Sequence, residues 1–251
     1  MDPLISIITV TYNAASLISP TMKSVASQSF RDYEHIIVDG ASTDGTLAKV
    51  SEMMTPNVSV HSKPDNGIYH AMNRGLEYAK GKYVIFLNAG DRFASSITLA
   101  KYAERFKDDP DIIYGDTVIT DIDNNILRPR HLSAPVVLTI NSYLKGMLIC
   151  HQAFMVRNNI APKYSRTYKL SADYEWCLKC IANSKVTKRV NLKEVTIHYL
   201  EGGISEKQRL RSLKERFMIM KEYFGTFPAI RSHLSFLPRV IRSLFKTKAL
   251  I

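Results

Sequence analysis

The sequence predicts an α/β fold, a doubly wound and mainly parallel sheet, and three observations carry that prediction. Short apolar, β-branched runs recur at residues 4–10, 33–38 and 83–87, each the length of a strand buried on both faces. Segments of helical spacing separate them. Each run ends in a cluster of Asp, Asn, Thr or Gly, the residues that end strands and open loops.

The elements follow in order. The first strand, 4–10, leads into Thr11-Tyr12-Asn13, and 14–28 has helical spacing through Leu17, Met22 and Val25. A second strand, 33–38, ends at Asp39-Gly40, and the polar run 42–46 offers caps for a helix to about Met54. A short strand is expected at 58–61 and a turn at Asp65-Asn66-Gly67. A helix over 68–79 follows, stopped by Gly81. The fourth strand, 83–87, ends in Asn88-Ala89-Gly90-Asp91. This βαβαβαβ alternation, with right-handed crossovers, puts all four polar clusters on one sheet edge, where open α/β sheets bind ligands.

The second half is less regular. A strand is expected at 112–120 with a hairpin turn at Asp123-Asn124-Asn125, another strand at 148–156, a helix over 171–183 capped by Ser171, and a strand at 195–200. An amphipathic helix is expected over 206–224, with Leu210, Leu213, Phe217, Met220 and Phe224 on one stripe, broken by Gly225 and Pro228. The pattern divides the chain into a body, 1–205, made of a regular half, 1–110, and a less regular half, 111–205, followed by basic amphipathic helices, 206–251.

At 45% hydrophobic and 23% charged, the 251-residue chain is of ordinary globular composition, which excludes disordered and collagen-like classes. The net charge of +11 is unevenly placed. Residues 206–251 hold eleven Lys/Arg and three Asp/Glu, a net of +8, leaving +3 for the rest. A basic tail mixed with apolar residues over 228–248 suits an anionic membrane surface. Nucleic acid is not expected as a partner, because no recognition module accompanies the charge. No run approaches the roughly 18 apolar residues of a membrane span. The opening Met-Asp-Pro lacks the basic start of a secretory leader, so the chain is expected to stay in the cytoplasm, peripheral on the membrane's cytoplasmic face. Cys177 and Cys180 form a Cys-x-x-Cys without a second pair, and read as small apolar helix residues rather than a zinc or redox site.

Neither G-x-G-x-x-G nor G-x-x-x-x-G-K-[ST] occurs, so a nucleotide would be bound without a glycine cradle. Carboxylates alone repel a diphosphate, but with a divalent cation between them they bind it.

Ser-Ile-Ile-Thr-Val-Thr-Tyr-Asn at 6–13, Ile-Val-Asp-Gly-Ala-Ser-Thr-Asp-Gly-Thr at 37–46, Asp-Asn-Gly-Ile-Tyr-His-Ala-Met-Asn-Arg-Gly at 65–75 and Gly-Lys-Tyr-Val-Ile-Phe-Leu-Asn-Ala-Gly-Asp at 81–91 together resemble the N-terminal blocks of family 2 glycosyltransferases. The resemblance resumes at Ser-Ala-Asp-Tyr-Glu, 171–175. It implies a GT-A domain over 1–205, with 1–110 the nucleotide-sugar-binding half and 111–205 the acceptor half, and inverting transfer from a nucleotide sugar, UDP-linked, to a saccharide or lipid-linked acceptor. On it, Asp39 contacts base or ribose, and Thr9, Tyr12 and Asn13 line the nucleoside pocket. Ser42, Asp44, Asp65, Gly67, Asn73 and Asn88 complete the donor site, although Asp44 suits a helix cap equally well. Asp91, with His198 as a further ligand, holds Mg²⁺ or Mn²⁺, and Asp173 is the general base. His151 and Asp116 are secondary candidates for acceptor contact. The chain departs from the family's Asp-x-Asp at Asn88 and Gly90, and has Ala172 where an acid often precedes the base. The missing carboxylates keep open a nucleotide-sugar-binding partner subunit without turnover. A nucleotidyltransferase is less well supported, because the glycine- and basic-rich loop it needs after the first strand is absent.

Overall fold

In the computed structural model, which describes residues 2–203 and 208–247 with side chains to residue 236, a mixed nine-stranded sheet organises the chain. The elements are β1 (Ile5–Thr11), α1 (Ile18–Ala26), β2 (Tyr33–Asp39), α2 (Thr46–Ser51), β3 (Val58–Ser62), α3 (Ile68–Tyr78), β4 (Tyr83–Phe86), β5 (Arg92–Phe93), α4 (Thr98–Ala103), β6 (Ile112–Thr120), β7 (Ile126–Pro129), β8 (Phe154–Arg157), α5 (Ala172–Ala182), β9 (Arg189–Leu200), α6 (Arg209–Phe224) and α7 (Thr226–Thr247). The sheet order is β3-β2-β1-β4-β8-β6-β9-β5, with β7 beside β6. Strands β1 to β4 pair parallel, β6 and β9 run with them, and β5, β7 and β8 run against them.

The parallel half follows the sequence pattern. Every residue of β1 is buried, as a central strand covered on both faces requires. Alternate residues of β2 serve opposite faces: Ile37 packs with Ile18, Met22 and Val50 of α1 and α2, while Ile36 and Val38 join the main core beneath α3. Helix α3 lies so close to the sheet that a Cβ on Gly75 would stand 2.4 Å from Ile8 Cγ2. Cys177 and Cys180 are free and fully buried in the core.

Elsewhere the structure departs from the expectations. Helix α1 starts only at Ile18, since 14–17 form a turn whose amides at Ala14 and Ala15 are held by Thr46 and Asp44. The apolar run 148–156 is strand only at its end. Its middle, His151–Ala153, is a single 3₁₀ turn, and β8 runs antiparallel. Strand β9 begins at Arg189 and takes up a bulge around Lys193 (φ 57°) opposite Gly115. Ser171 precedes α5 but does not cap it, because its hydroxyl faces Ser212 Oγ at 3.0 Å. Leu210 is 77% exposed, so the buried side of α6 is Ser212, Ile219 and Met220. Residues 206 and 207 of the expected helix lie outside the described residues, as do the side chains of Leu237, Val240, Ile241, Leu244 and Phe245.

Helix α6 also secures the start of α5. The Glu215 carboxylate accepts hydrogen bonds from the amides of Lys169 (3.2 Å), Leu170 (2.8 Å) and Ser171 (3.0 Å). A carboxylate in front of a helix satisfies amides that have no helical partner and faces the positive end of the dipole. Removing it strands three donors, so Glu215→Ala is expected to cost about 2–3 kcal/mol. Urea unfolding monitored by circular dichroism checks this, and an unchanged midpoint would remove Glu215 from the scaffold.

Candidate active site

Loops following β1 and β2 are joined side chain to backbone. Asn13, left-handed at φ 47°, accepts the Thr43 amide at 2.9 Å and donates its own amide to Ser42 Oγ at 2.8 Å. Ser42 Oγ in turn donates to Asp39, whose other oxygen accepts the Ser42 amide (2.9 Å) and Ser62 Oγ (2.7 Å). Asp44 accepts from the Thr46 amide and hydroxyl and from the Ala15 amide. These bonds, the Thr46 hydroxyl's first, hold the Asp44 carboxyl below the ordinary range.

The predicted donor residues therefore separate into two groups. Thr9 and Asp39 are fully buried. The Thr9 hydroxyl lies between Leu87 O (2.7 Å) and His35 Nε2 (2.9 Å), and burial keeps that imidazole neutral, with its pKa lowered to about 3. Asn73 pairs both ends of its amide with the Tyr164 backbone, at 3.0 and 2.7 Å, which ties α3 to the loop before α5. On the open rim stand Tyr12, 65% exposed, and Asp65 with Gly67, whose amide donates to Asp65 Oδ1 at 2.8 Å. Gly40 allows the two side chains to meet: a Cβ there would lie 2.7 Å from Asp65 Oδ2 and 3.1 Å from Tyr12 Cδ2.

Asp91 is buried and hydrogen-bonded through both oxygens. Oδ2 accepts Gln152 Nε2 at 2.7 Å and Oδ1 accepts the Leu200 amide at 3.0 Å. Burial raises its pKa to about 7, against the opposing pull of those two donors. Nearby Asn88 has a buried Oδ1 with no partner among the described residues. His198 Nδ1 pairs with Asn124 Oδ1 at 2.9 Å, and burial, then Arg92, lower its pKa. A divalent cation needs several converging oxygen or nitrogen ligands. Among the described residues no three His, Cys, Asp or Glu groups converge, and the two expected ligands are engaged elsewhere. As arranged, this donor set does not fit a preformed metal cage. Asp116, the secondary acceptor candidate, accepts the Ala134 amide at 2.7 Å.

Asp173 opens α5 with its side chain 18% exposed. Oδ1 accepts the Tyr69 hydroxyl at 3.2 Å and the Tyr174 amide at 2.9 Å, while Oδ2 stands 3.6 Å from His151 Nδ1. Tyr69, from the donor-side helix, and Gln152 were not singled out in the sequence, although Tyr69 lies inside the 65–75 block. The one cue for Gln152 was its place beside His151 in Cys150-His151-Gln152.

A parallel half with a nucleotide-type loop edge, joined to an acid at the head of a later helix, is the plan of a GT-A transferase. Residues 6–164 match the family model described as Glycosyl transferase family 2. The chain belongs to that family and is a glycosyltransferase. A PGL/p-HBAD biosynthesis glycosyltransferase of Mycobacterium tuberculosis is 32% identical over 213 residues, covering 81% of this chain and 79% of its own. WfgD of Escherichia coli, a UDP-Glc:alpha-D-GlcNAc-diphosphoundecaprenol beta-1,3-glucosyltransferase, is 24% identical over 224 residues, 88% of this chain and 87% of its own. Among solved structures, S. aureus TarS 1-349 in complex with UDP-GlcNAc superposes with a TM-score of 0.73 at 18% identity, over 94% of this chain and 73% of that one. The mannosyltransferase PcManGT of Pyrobaculum calidifontis, in complex with GDP-Man and Mn²⁺, gives 0.64 at 15% identity, over 100% of this chain and 81% of its own. Both share the fold.

The Asp91 shift sets a pH dependence. Its folded-state pKa lies above the ordinary 3.8, so between about 4 and 7 the folded state holds a proton that the unfolded chain has lost. The resulting stabilisation is complete below about pH 4 and disappears as pH rises through 7. Melting curves from pH 5 to 8 should fall more steeply for the wild type than for Asp91→Asn. Parallel curves would refute the assignment.

Proposed function

We propose that this glycosyltransferase moves a sugar from a UDP-linked donor to a hydroxyl of a saccharide or lipid-linked acceptor, with inversion, and that Asp173 is the general base. One observation carries the reading. Asp173 is a partly exposed carboxylate whose Oδ1 is fixed by Tyr69 and the Tyr174 amide, while Oδ2 takes no hydrogen bond from the described residues. An oriented carboxylate with an available oxygen can accept a hydroxyl proton. The acceptor O–H proton passes to Oδ2 as the oxygen bonds to the anomeric carbon, and the bond from that carbon to the diphosphate oxygen breaks, releasing UDP. The nucleoside end lies against Tyr12, Asp65 and Gly67, with Asp39, Ser42, Asp44 and Asn13 shaping the loops beneath. The donor and acceptor classes rest on the names of WfgD and the TarS complex. A divalent cation, present in the PcManGT complex, would neutralise a diphosphate. The described residues give it no preformed cage.

A partner subunit that binds the donor without turning it over is the second reading, favoured by Asn88, Gly90 and the enclosed carboxylate of Asp91. Turnover separates the two. UDP is expected to raise the melting temperature of the wild type and of Asp173→Asn alike, as binding to the native state must. Transfer from UDP-glucose or UDP-GlcNAc should fall about 10²–10⁴-fold in Asp173→Asn. Unchanged transfer by that variant would refute the base assignment, and a wild type that binds UDP without transfer favours the second reading.

We further infer that the C-terminal helices rest on an anionic membrane, which places the enzyme at a cytoplasmic membrane face beside a lipid-linked acceptor. Among the described residues no helix is long and apolar enough to cross a membrane. Instead Phe227, Ile230 and Leu234 of α7 form an outward apolar stripe, 77%, 44% and 59% exposed, beside exposed Arg231. Apolar anchors with flanking cations suit an anionic interface. Replacing all three by Ser is expected to weaken binding to phosphatidylglycerol-containing vesicles at least about tenfold in cosedimentation, since each buried CH₂ contributes roughly 0.8 kcal/mol. Equal binding by the variant would overturn the placement.

A further inference from the structure

Two adjacent residues on one 3₁₀ turn reach the two carboxylates that the chain brings together from distant segments. Gln152 is 2% exposed and donates to Asp91, while its Oε1 accepts the Cys150 thiol. His151 is 5% exposed and turns Nδ1 toward Asp173 Oδ2 at 3.6 Å. Its other nitrogen, Nε2, is buried with no partner among the described residues. Phe86 stands beside the ring, with centroids 6.1 Å apart. Asp173 and Arg130 are the charged groups that act on the ring, and Tyr69, Tyr164, Tyr199, Cys150 and Cys177 surround Asp173 itself. The Arg130 guanidinium is held by the carbonyls of Met147 and Leu148.

We propose that His151 is a positioning residue for Asp173: a neutral imidazole carrying its proton on Nδ1, which directs Oδ2 toward the acceptor, on a turn anchored to the donor side by the Gln152–Asp91 hydrogen bond. The assignment rests on the reading of Asp173 as base. Two arguments fix the tautomer. Only a proton on Nδ1 makes the approach to a carboxylate attractive, since a bare nitrogen there would set lone pair against lone pair. An unpartnered, buried Nε2 is also less costly as a bare lone pair than as a charged N–H, so the ring stays neutral. At 3.6 Å the contact is longer than a hydrogen bond, and catalytic contacts of this kind close when substrate is bound. The turn exists because Gln152 is held from below.

Imidazole ¹⁵N NMR of the full chain at pH 7, with the His151 signals assigned by their loss in His151→Phe, tests this directly. The neutral Nδ1–H form is expected in the wild type, and a shift toward the commoner Nε2–H form in Asp173→Asn. A wild type in the Nε2–H form, or an Asp173→Asn spectrum unchanged at His151, would overturn the proposal. The kinetic counterpart uses UDP-glucose as the probe. His151→Phe should lower the rate of UDP release at saturating donor about a hundredfold with the donor KM within about twofold, and His151→Asn, which restores an N–H near the Nδ1 position, should recover most of the loss. A loss that Asn does not rescue, or one that falls on KM, refutes positioning. If the NMR results hold while Asp173→Asn transfers sugar normally, the base assignment has failed and the pairing stands.

Discussion

A carboxylate removed from water must have its lone pairs occupied, and at Asp91 this requirement joins three distant segments. Gln152, from the turn before β8, donates to one oxygen, and the Leu200 amide, at the end of β9, donates to the other. The loop after β4, the turn carrying His151 and the last strand consequently meet at one point. Neighbouring Gly90 follows from the same meeting. It is left-handed at φ 103°, and a Cβ there would lie 2.8 Å from Leu200 Cδ2. Any side chain at 90 would be strained by that φ and would have to displace the end of Leu200, the residue whose amide Asp91 accepts. The glycine and the buried carboxylate thus belong to the same meeting of segments, which Asp91 pins through both of its oxygens.

The loops on the β1–β2 edge follow a similar logic. Their acids and amides mostly satisfy backbone amides that would otherwise lack partners: Asp39 for Ser42, Asp44 for Ala15 and Thr46, Asn13 for Thr43. Such an edge binds a ligand chiefly by holding a shape. On the proposed reading of this edge as the donor site, the groups that would touch the donor are Tyr12 and Asp65 Oδ2, which take no hydrogen bond among the described residues and both stand close above Gly40. Preorganised loops reduce the ordering cost of binding a small donor.

This division explains what could be read from the sequence. Apolar runs buried on both faces and helices at 3.6 spacing are local signals, so β1 to β4 and α1 to α3 fall close to where the pattern puts them. Chemistry-bearing types were also visible: Asp39, Asp44, Asp91 and Asp173 all stand at strand or helix ends. Which of them faces a ligand depends on partners with no fixed spacing, such as Ser62 for Asp39 and Leu200 for Asp91, 109 residues on. The antiparallel half was less legible for the same reason. The run 148–156 is apolar enough for a strand throughout, yet it turns at His151 because Gln152 is held from outside the run. Nothing local distinguished Leu210 from the stripe it was assigned to, since a helix face is buried only where the body provides a surface.

Asp173, the proposed base, sits where three parts of the chain converge. Tyr69, on the donor-side helix α3, holds Asp173 Oδ1. The turn at His151 faces Oδ2. Glu215 and Ser212 of α6 hold the backbone just before α5, through the amides of 169–171 and the Ser171 hydroxyl. A carboxylate fixed from one side keeps rotational freedom that catalysis must then remove, whereas one fixed from three sides is preorganised. The same arrangement couples distant surfaces. Helix α6 continues through Gly225 into α7, whose outer face carries the exposed apolar stripe, and the pair are held together where His233 meets the Leu213 carbonyl and the Phe217 ring. Helix α6 therefore joins the segment that precedes Asp173 to the helix that carries the exposed stripe.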